Sequence, residues 1–162
     1  MSHDFYKTYI DPYSPIIVKI CRTYTNSQED FEDYYQEVCL QIWRSKDNFQ
    51  QKSKLSTWIY RLSLNVCLSL HSKEKNFTKK HSEYKPINIS SDNGAFKNES
   101  LNLLYRAIKK LSEVDRAIIV LYLEEKSNIE IAEITGTNAN NIGVRISRIK
   151  DKLKKMLDGQ IN

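Results

Sequence analysis

The residues best equipped for chemistry stand near the C-terminus. Between positions 138 and 155 six bases (Arg145, Arg148, Lys150, Lys152, Lys154, Lys155) face one acid, Asp151. Three amides, Asn138, Asn140 and Asn141, precede them. Wound as a helix, this segment turns Asn140, Asn141, Val144, Arg145, Arg148 and Lys152 outward and Ile142, Ile146 and Ile149 inward. Amides and guanidinium groups on one helix face match the base edges and phosphates of a DNA major groove. Just upstream, Ile131, Ala132 and Ile134 make the apolar side of a shorter helix. Gly136 falls where a sharp turn needs positive φ. That is helix-turn-helix grammar. A helical hairpin with a solvated basic face shares the pattern, and the clustered bases favour the phosphate-facing reading.

Two more constellations lie in the first half. From Glu29 to Glu37 there are five acids (Glu29, Asp30, Glu32, Asp33, Glu37) and no base, with Gln36 among them and Trp43 and Arg44 later in the same periodic run. Such a face repels DNA; it suits a protein partner or plain solvent. Then comes Leu55-Ser56-Thr57-Trp58-Ile59-Tyr60-Arg61-Leu62-Ser63-Leu64-Asn65, preceded by Lys52 and Lys54. Trp58 and Tyr60 interleaved with Arg61 and Asn65 can stack on unpaired bases and hold their backbone. Trp58 as a core anchor is the competing reading.

Catalysis finds no support. The three histidines, His3, His71 and His81, sit at the terminus and around a polar stretch, without a nucleophile or paired carboxylates at a recognisable spacing. No glycine-rich phosphate loop occurs. Cys21, Cys39 and Cys67 are odd in number and widely spaced, with no zinc pattern, and read as reduced core residues. No metal or cofactor is expected, and the chain is not read as an enzyme. The N-terminus lacks a basic segment followed by an apolar run, and no stretch of about 18 apolar residues spans a membrane. A cytoplasmic location is expected.

The elements that must position these residues are helices. Among 162 residues there are 4 glycines and 3 prolines, too few for sheets joined by tight turns, and 40% of residues are hydrophobic against 28% charged. Pro15 fits the first turn of a helix through Ile16–Ile20. Ser27-Gln28-Glu29-Asp30 caps a second, with Phe31, Tyr34, Tyr35, Val38 and Ile42 inside. A third starts near Ser56, with Ile59, Leu62, Val66 and Leu70 predicted as its buried face. Residues from Ser72 to Asn98 turn polar, include Pro86 and Gly94, and carry no period. Four helices follow: Leu101 to Leu111, one capped by Ser112-Glu113-Val114-Asp115, Asn128 to Ile134, and one capped by Asn138 that reaches about Leu157. The net charge of +5 is uneven: residues 1–70 are neutral, 71–100 carry +2 and 101–162 carry +3. The fold class is therefore all-α, with two small helical domains on a flexible linker.

In this order the segments resemble a bacterial RNA polymerase sigma factor of the two-domain extracytoplasmic-function type. Glu32-Asp33-x-x-Gln36-Glu37 with Trp43 is similar to the family's second conserved region. Phe49, Thr57-Trp58-Ile59-Tyr60-Arg61-Leu62 and Asn65 resemble its promoter-melting segment. Leu111 to Leu123, Glu130-Ile131-Ala132-Glu133-Ile134-x-Gly136 and Asn141-Ile142-x-x-Arg145-x-x-Arg148 resemble its DNA-reading domain. The resemblance divides the chain into a region 2-like domain (1–76), a linker (77–98) and a region 4-like helix-turn-helix domain (99–162). It implies that Asp33, Gln36, Glu37, Trp43 and Arg44 bind core RNA polymerase. Lys52, Lys54, Thr57, Trp58, Arg61 and Asn65 would read and open the minus-ten element. Asn138, Asn140, Asn141, Arg145, Arg148 and Lys152 would read the minus-thirty-five element. Implied partners are core polymerase, duplex and single-stranded promoter DNA, and an anti-sigma protein as a candidate regulator.

Gly143 and Val144 depart from the Lys and Ser common before the recognition-helix Arg, and Ser112 from the usual Pro. Gly143 is expected to let the backbone approach DNA closely. The alternative is a helix-turn-helix regulator that binds duplex DNA without polymerase. Such a protein has no need of the Asp33-Gln36-Glu37 face or the Trp58 segment.

Overall fold

The computed structural model describes residues 2–80 and 99–161. These are helices and their connections, with no strand among the described residues, as the composition requires. They fall into two compact units, one on each side of residues 81–98. Those eighteen positions, most of the expected linker with Pro86 and Gly94, lie outside the described residues.

The first unit opens with three short turns: α1 (His3–Phe5), a π-helical turn (Tyr6–Ile10) and a 3-10 turn (Asp11–Tyr13). The sequence pattern gave no helix here. Pro12 and Pro15 withhold the N–H groups that an α-ladder would send to the carbonyls four residues back, so the segment winds in pieces. Pro15 then serves in the first turn of α2 (Ser14–Thr23). The α3 helix (Gln28–Ser45) starts on Ser27, whose hydroxyl accepts from the Asp30 N–H at 3.1 Å. Glu29 and Asp30 in its first turn and Arg44 in its last suit the helix dipole. A 3-10 turn (Lys46–Asn48) leads to a loop and to α4 (Leu55–Lys80). The polar residues 72–80, expected to leave the helix, continue it.

Helices α2, α3 and α4 pack together around Ile17, Ile20, Tyr34, Val38, Ile42, Ile59 and Leu64. The buried face of α4 keeps Ile59 of the predicted set but is rotated away from the rest. Leu62, Val66 and Leu70 are half-buried flanks, while Ile59, Tyr60, Ser63, Leu64 and Cys67 point inward. Ser63 is accommodated because its hydroxyl donates to the Ile59 carbonyl at 2.7 Å. Cys67 meets Cys21 of α2 with sulfurs 3.8 Å apart. The small Cys21 and Cys67 side chains let the two helices approach.

The second unit contains α5 (Glu99–Ile108), α6 (Glu113–Leu123), α7 (Asn128–Thr135) and α8 (Ala139–Ile161). The turn after α5 is held by Arg116, whose guanidinium donates to the Leu111 carbonyl at 3.1 Å and the Lys109 carbonyl at 2.6 Å. Ser112 caps α6 through the Asp115 N–H at 3.3 Å. Ala117 to Leu121 of α6 are buried throughout, and the helix packs on α7 and α8. Gly136 ends α7 at φ 77°, and its N–H donates to the Ala132 carbonyl at 2.8 Å. The Asn138 side chain accepts from the Asn140 N–H at 2.9 Å, the predicted cap of α8. Ile142, Ile146, Ile149 and Leu153 seat α8 on the other three helices.

Candidate nucleic-acid and protein interfaces

On α3, burial of Tyr34, Val38, Cys39 and Ile42 fixes the helix rotation. Asp33, Gln36, Glu37 and Arg44 are thereby left on the outer side, with half-buried Leu40 between them. Glu37 accepts from the Gln41 amide at 2.9 Å and Glu32 from the Gln28 amide at 3.3 Å. The stripe is thus acidic through Glu37 and ends on a base. Trp43, seven residues past Gln36 and so on its side of the helix, is half-buried. The Phe5 and Trp43 rings meet edge to face with centroids 5.0 Å apart, and the Lys46 ammonium lies 4.5 Å over the Trp43 ring. The ring therefore fastens the N-terminal turns to α3. Phe5, some forty residues away in sequence, carried no local signal of that contact.

The loop between α3 and α4 presents Lys52 and Lys54, both exposed. Gln51 within it holds φ 57°, a left-handed conformation that a non-glycine residue enters at some cost. On α4, Trp58, Arg61 and Asn65 follow Lys54 at spacings of four, three and four and share one side. Arg61 and Asn65 are exposed. Trp58 is half-buried and packs on Phe49, ring centroids 5.3 Å apart. The indole is thus anchored on Phe49 and part of its surface stays accessible. Thr57 needs correction. It is 3% exposed, because one position earlier on the helix turns its side chain into the core, so it offers no group to a ligand.

On α8, Asn140, Asn141, Arg148 and Lys152 are exposed. Among the described residues no side-chain hydrogen bond or ion pair engages Asn141, Arg148 or Lys152. Arg145 differs. It sits at the border of the buried face, and its guanidinium donates to the Asp115 carboxylate of α6 at 2.9 Å. Asp115 is thirty residues away, a distance at which opposite charges give no sequence signal. Asn138 is exposed, but its amide oxygen is used in capping. Gly143 is exposed, and the place where its Cβ would stand lies 3.6 Å from the Asn128 amide of α7, room enough for a methyl group.

The arrangement thus offers an acidic helix face, a basic and aromatic strip, and a helix-turn-helix whose second helix carries free amides and bases. Among the described residues no helix is long and apolar enough to cross a membrane.

Comparison with known proteins agrees with this division. Residues 9–77 match the model for sigma-70 region 2, and residues 101–153 match that for sigma-70 region 4. The ECF RNA polymerase sigma factor SigW of Bacillus subtilis is 26% identical over 167 residues, covering 95% of this chain and 89% of that protein. The RNA polymerase sigma factor SigZ of the same organism is 29% identical over 139 residues, covering 83% and 76%. Among solved structures, the sigma factor RpoE in complex with the anti-sigma factor NepR, from Bartonella quintana, superposes with a TM-score of 0.80 at 21% identity over 97% of this chain and 98% of that one. CnrH in complex with the cytosolic domain of CnrY gives 0.68 at 19%, covering 95% and 88%. These two likenesses concern the fold.

Proposed function

The chain belongs to the sigma-70 family, in its extracytoplasmic-function form, and from that membership we propose how its surfaces divide the labour of transcription initiation. It binds core RNA polymerase and directs it to promoters. The observation that carries this is the pairing on one chain of a region 2 match and a region 4 match, in that order. A regulator acting without polymerase has no use for the first.

The outer face of α3, Asp33, Gln36, Glu37 and Arg44, is the surface we assign to core polymerase. Its acidic sign excludes DNA and suits a basic protein partner. The strip of Lys52, Lys54, Trp58, Arg61 and Asn65 is assigned to the minus-ten element. Lysines and arginine hold phosphates there, and the indole surface receives an unpaired base. Strand opening breaks base pairs but no covalent bond, and capture of a flipped base makes the open state more favourable. We therefore read the chain as a non-catalytic factor that works in the cytoplasm, where core polymerase is. Asn140, Asn141, Arg148 and Lys152 on α8 are assigned to the minus-thirty-five element, with Arg145 holding α8 to α6. The sigma factor RpoE, of the same fold, is held in complex with the anti-sigma factor NepR, which supports an anti-sigma protein as a further partner.

Run-off transcription with purified core polymerase on fragments of the source genome tests the reading. Specific transcripts, together with retention of core polymerase by the tagged chain, are expected. Absence of both would overturn it. Trp58→Ala is expected to lower permanganate reactivity of the opened strand more than closed-complex binding. Arg148→Ala is expected to weaken promoter binding and leave core retention unchanged.

A further inference from the structure

Val144 is the odd residue on the outward stripe of α8. It is 52% exposed, on the face that also carries Asn141 and Arg148. An exposed valine is ordinary when it stands alone on a surface. Here it stands three residues after an amide and four before a guanidinium, neither of them engaged by another described side chain. Ile129 is more exposed, at 65%, but belongs to the first turn of α7, away from that stripe.

Resting on the assignment of α8 to the upstream promoter element, we propose that Val144 selects one A·T pair there by packing its methyl groups on the C5-methyl of a thymine. In the major groove thymine is the one common base that presents a methyl group. A valine side chain has no donor or acceptor and holds a narrow set of χ1 rotamers on a helix, so it meets that methyl with little entropic loss. The same surface opposes cytosine in two ways: the methyl contact is missing, and an amino group comes to face a side chain that cannot accept from it. The amide of Asn141 and the guanidinium of Arg148 flank Val144 on the stripe, so the methyl contact falls between two polar ones.

The test uses the full chain assembled with core polymerase. Holoenzyme is enriched on duplexes randomised across the upstream element, and each thymine of the enriched element is then replaced singly by deoxyuridine, which removes only the methyl. Wild-type holoenzyme is expected to lose about three- to fivefold in affinity at one position, the size appropriate to one buried methyl. Val144→Ala is expected to be indifferent at that position, and Val144→Thr, which keeps one methyl, to retain part of the sensitivity. Helical content and thermal midpoint of the variants check that they fold. Indifference of the wild type to every replacement overturns the proposal, as does undiminished sensitivity in Val144→Ala or an enriched element without an A·T pair. In those cases core retention and enrichment still stand, so the parent reading survives. If holoenzyme neither forms nor enriches any sequence, the parent reading fails and the proposal with it.

Discussion

At Gly136 the backbone turns with φ 77°, a region that an L side chain enters at a cost of about 1 kcal/mol. Seven residues on, Gly143 lies inside α8 with ordinary helical torsions and room for a methyl group at 3.6 Å from Asn128. The same residue type therefore stabilises one place and weakens the other. Gly136→Ala is expected to lower stability in urea titration by about 1 kcal/mol, and Gly143→Ala to raise it by up to about 1 kcal/mol through helix propensity. A loss on Gly143→Ala would mean that the contact with α7 is tighter than 3.6 Å allows. Arg145 and Asp115 also belong to this scale. Their side chains are 36% and 16% exposed, so solvent weakens the pair, and Asp115→Asn is expected to cost no more than about 1 kcal/mol. Promoter binding should respond more than stability does, since the pair sets where α8 sits. Equal binding by the variant would remove that positioning role.

The elements owe their ends to local chemistry and their rotations to packing. Ser27, Ser112 and Ser127 each accept the N–H three residues on, which is why α3, α6 and α7 begin where a Ser-x-x-acid pattern says they should. The rotation of α4 is another matter. Its sequence contains two plausible faces, and the spacing of Leu62, Val66 and Leu70 points to the wrong one. The choice is made by the packing of α4 on α2 and α3, with Cys67 meeting Cys21 of α2 where a larger residue would hold the helices apart. Ser63→Leu is accordingly expected to destabilise the first unit by about 1–3 kcal/mol through overpacking. Leu70→Ala on the half-buried flank should cost less. The two values are read from denaturant unfolding followed by tryptophan fluorescence, since Trp43 and Trp58 both lie in that unit. The reverse order of costs would restore the face predicted from the sequence.

At the scale of the whole molecule the two units differ in what they bury. All three cysteines are in the first, each buried. Burial pushes the Cys39 thiol from its ordinary value near 9 up to about 11. The Cys67 thiol is also pushed up, by its contact with Cys21 and by burial. Burial raises the Tyr34 and Tyr35 phenols as well. These groups stay neutral in the folded unit at a pH where the unfolded chain ionises. The unfolded state then binds fewer protons, so stability is intact below pH 9 and falls as pH rises from about 9 towards 11. Amide-exchange protection measured between pH 7 and pH 10, corrected for intrinsic rates, should fall in residues 2–80 before it falls in 99–161. Cys39→Ala should reduce that difference. Parallel loss in both units would refute the assignment of alkaline sensitivity to the first.

By itself the sequence determined the all-α class, the caps, the helix-turn-helix turn at Gly136, the acidic and basic stripes, and through them the family. Each of these rests on residues within a few positions of one another, where spacing and hydrogen-bonding chemistry act directly. Tertiary structure alone decided that Thr57 is buried, that Trp43 holds Phe5, and that Arg145 answers to Asp115. Those outcomes depend on which distant groups arrive at the same place. A helix can be read from its own residues, but the rotation that buries or offers a given side chain is set by the neighbours against which it packs.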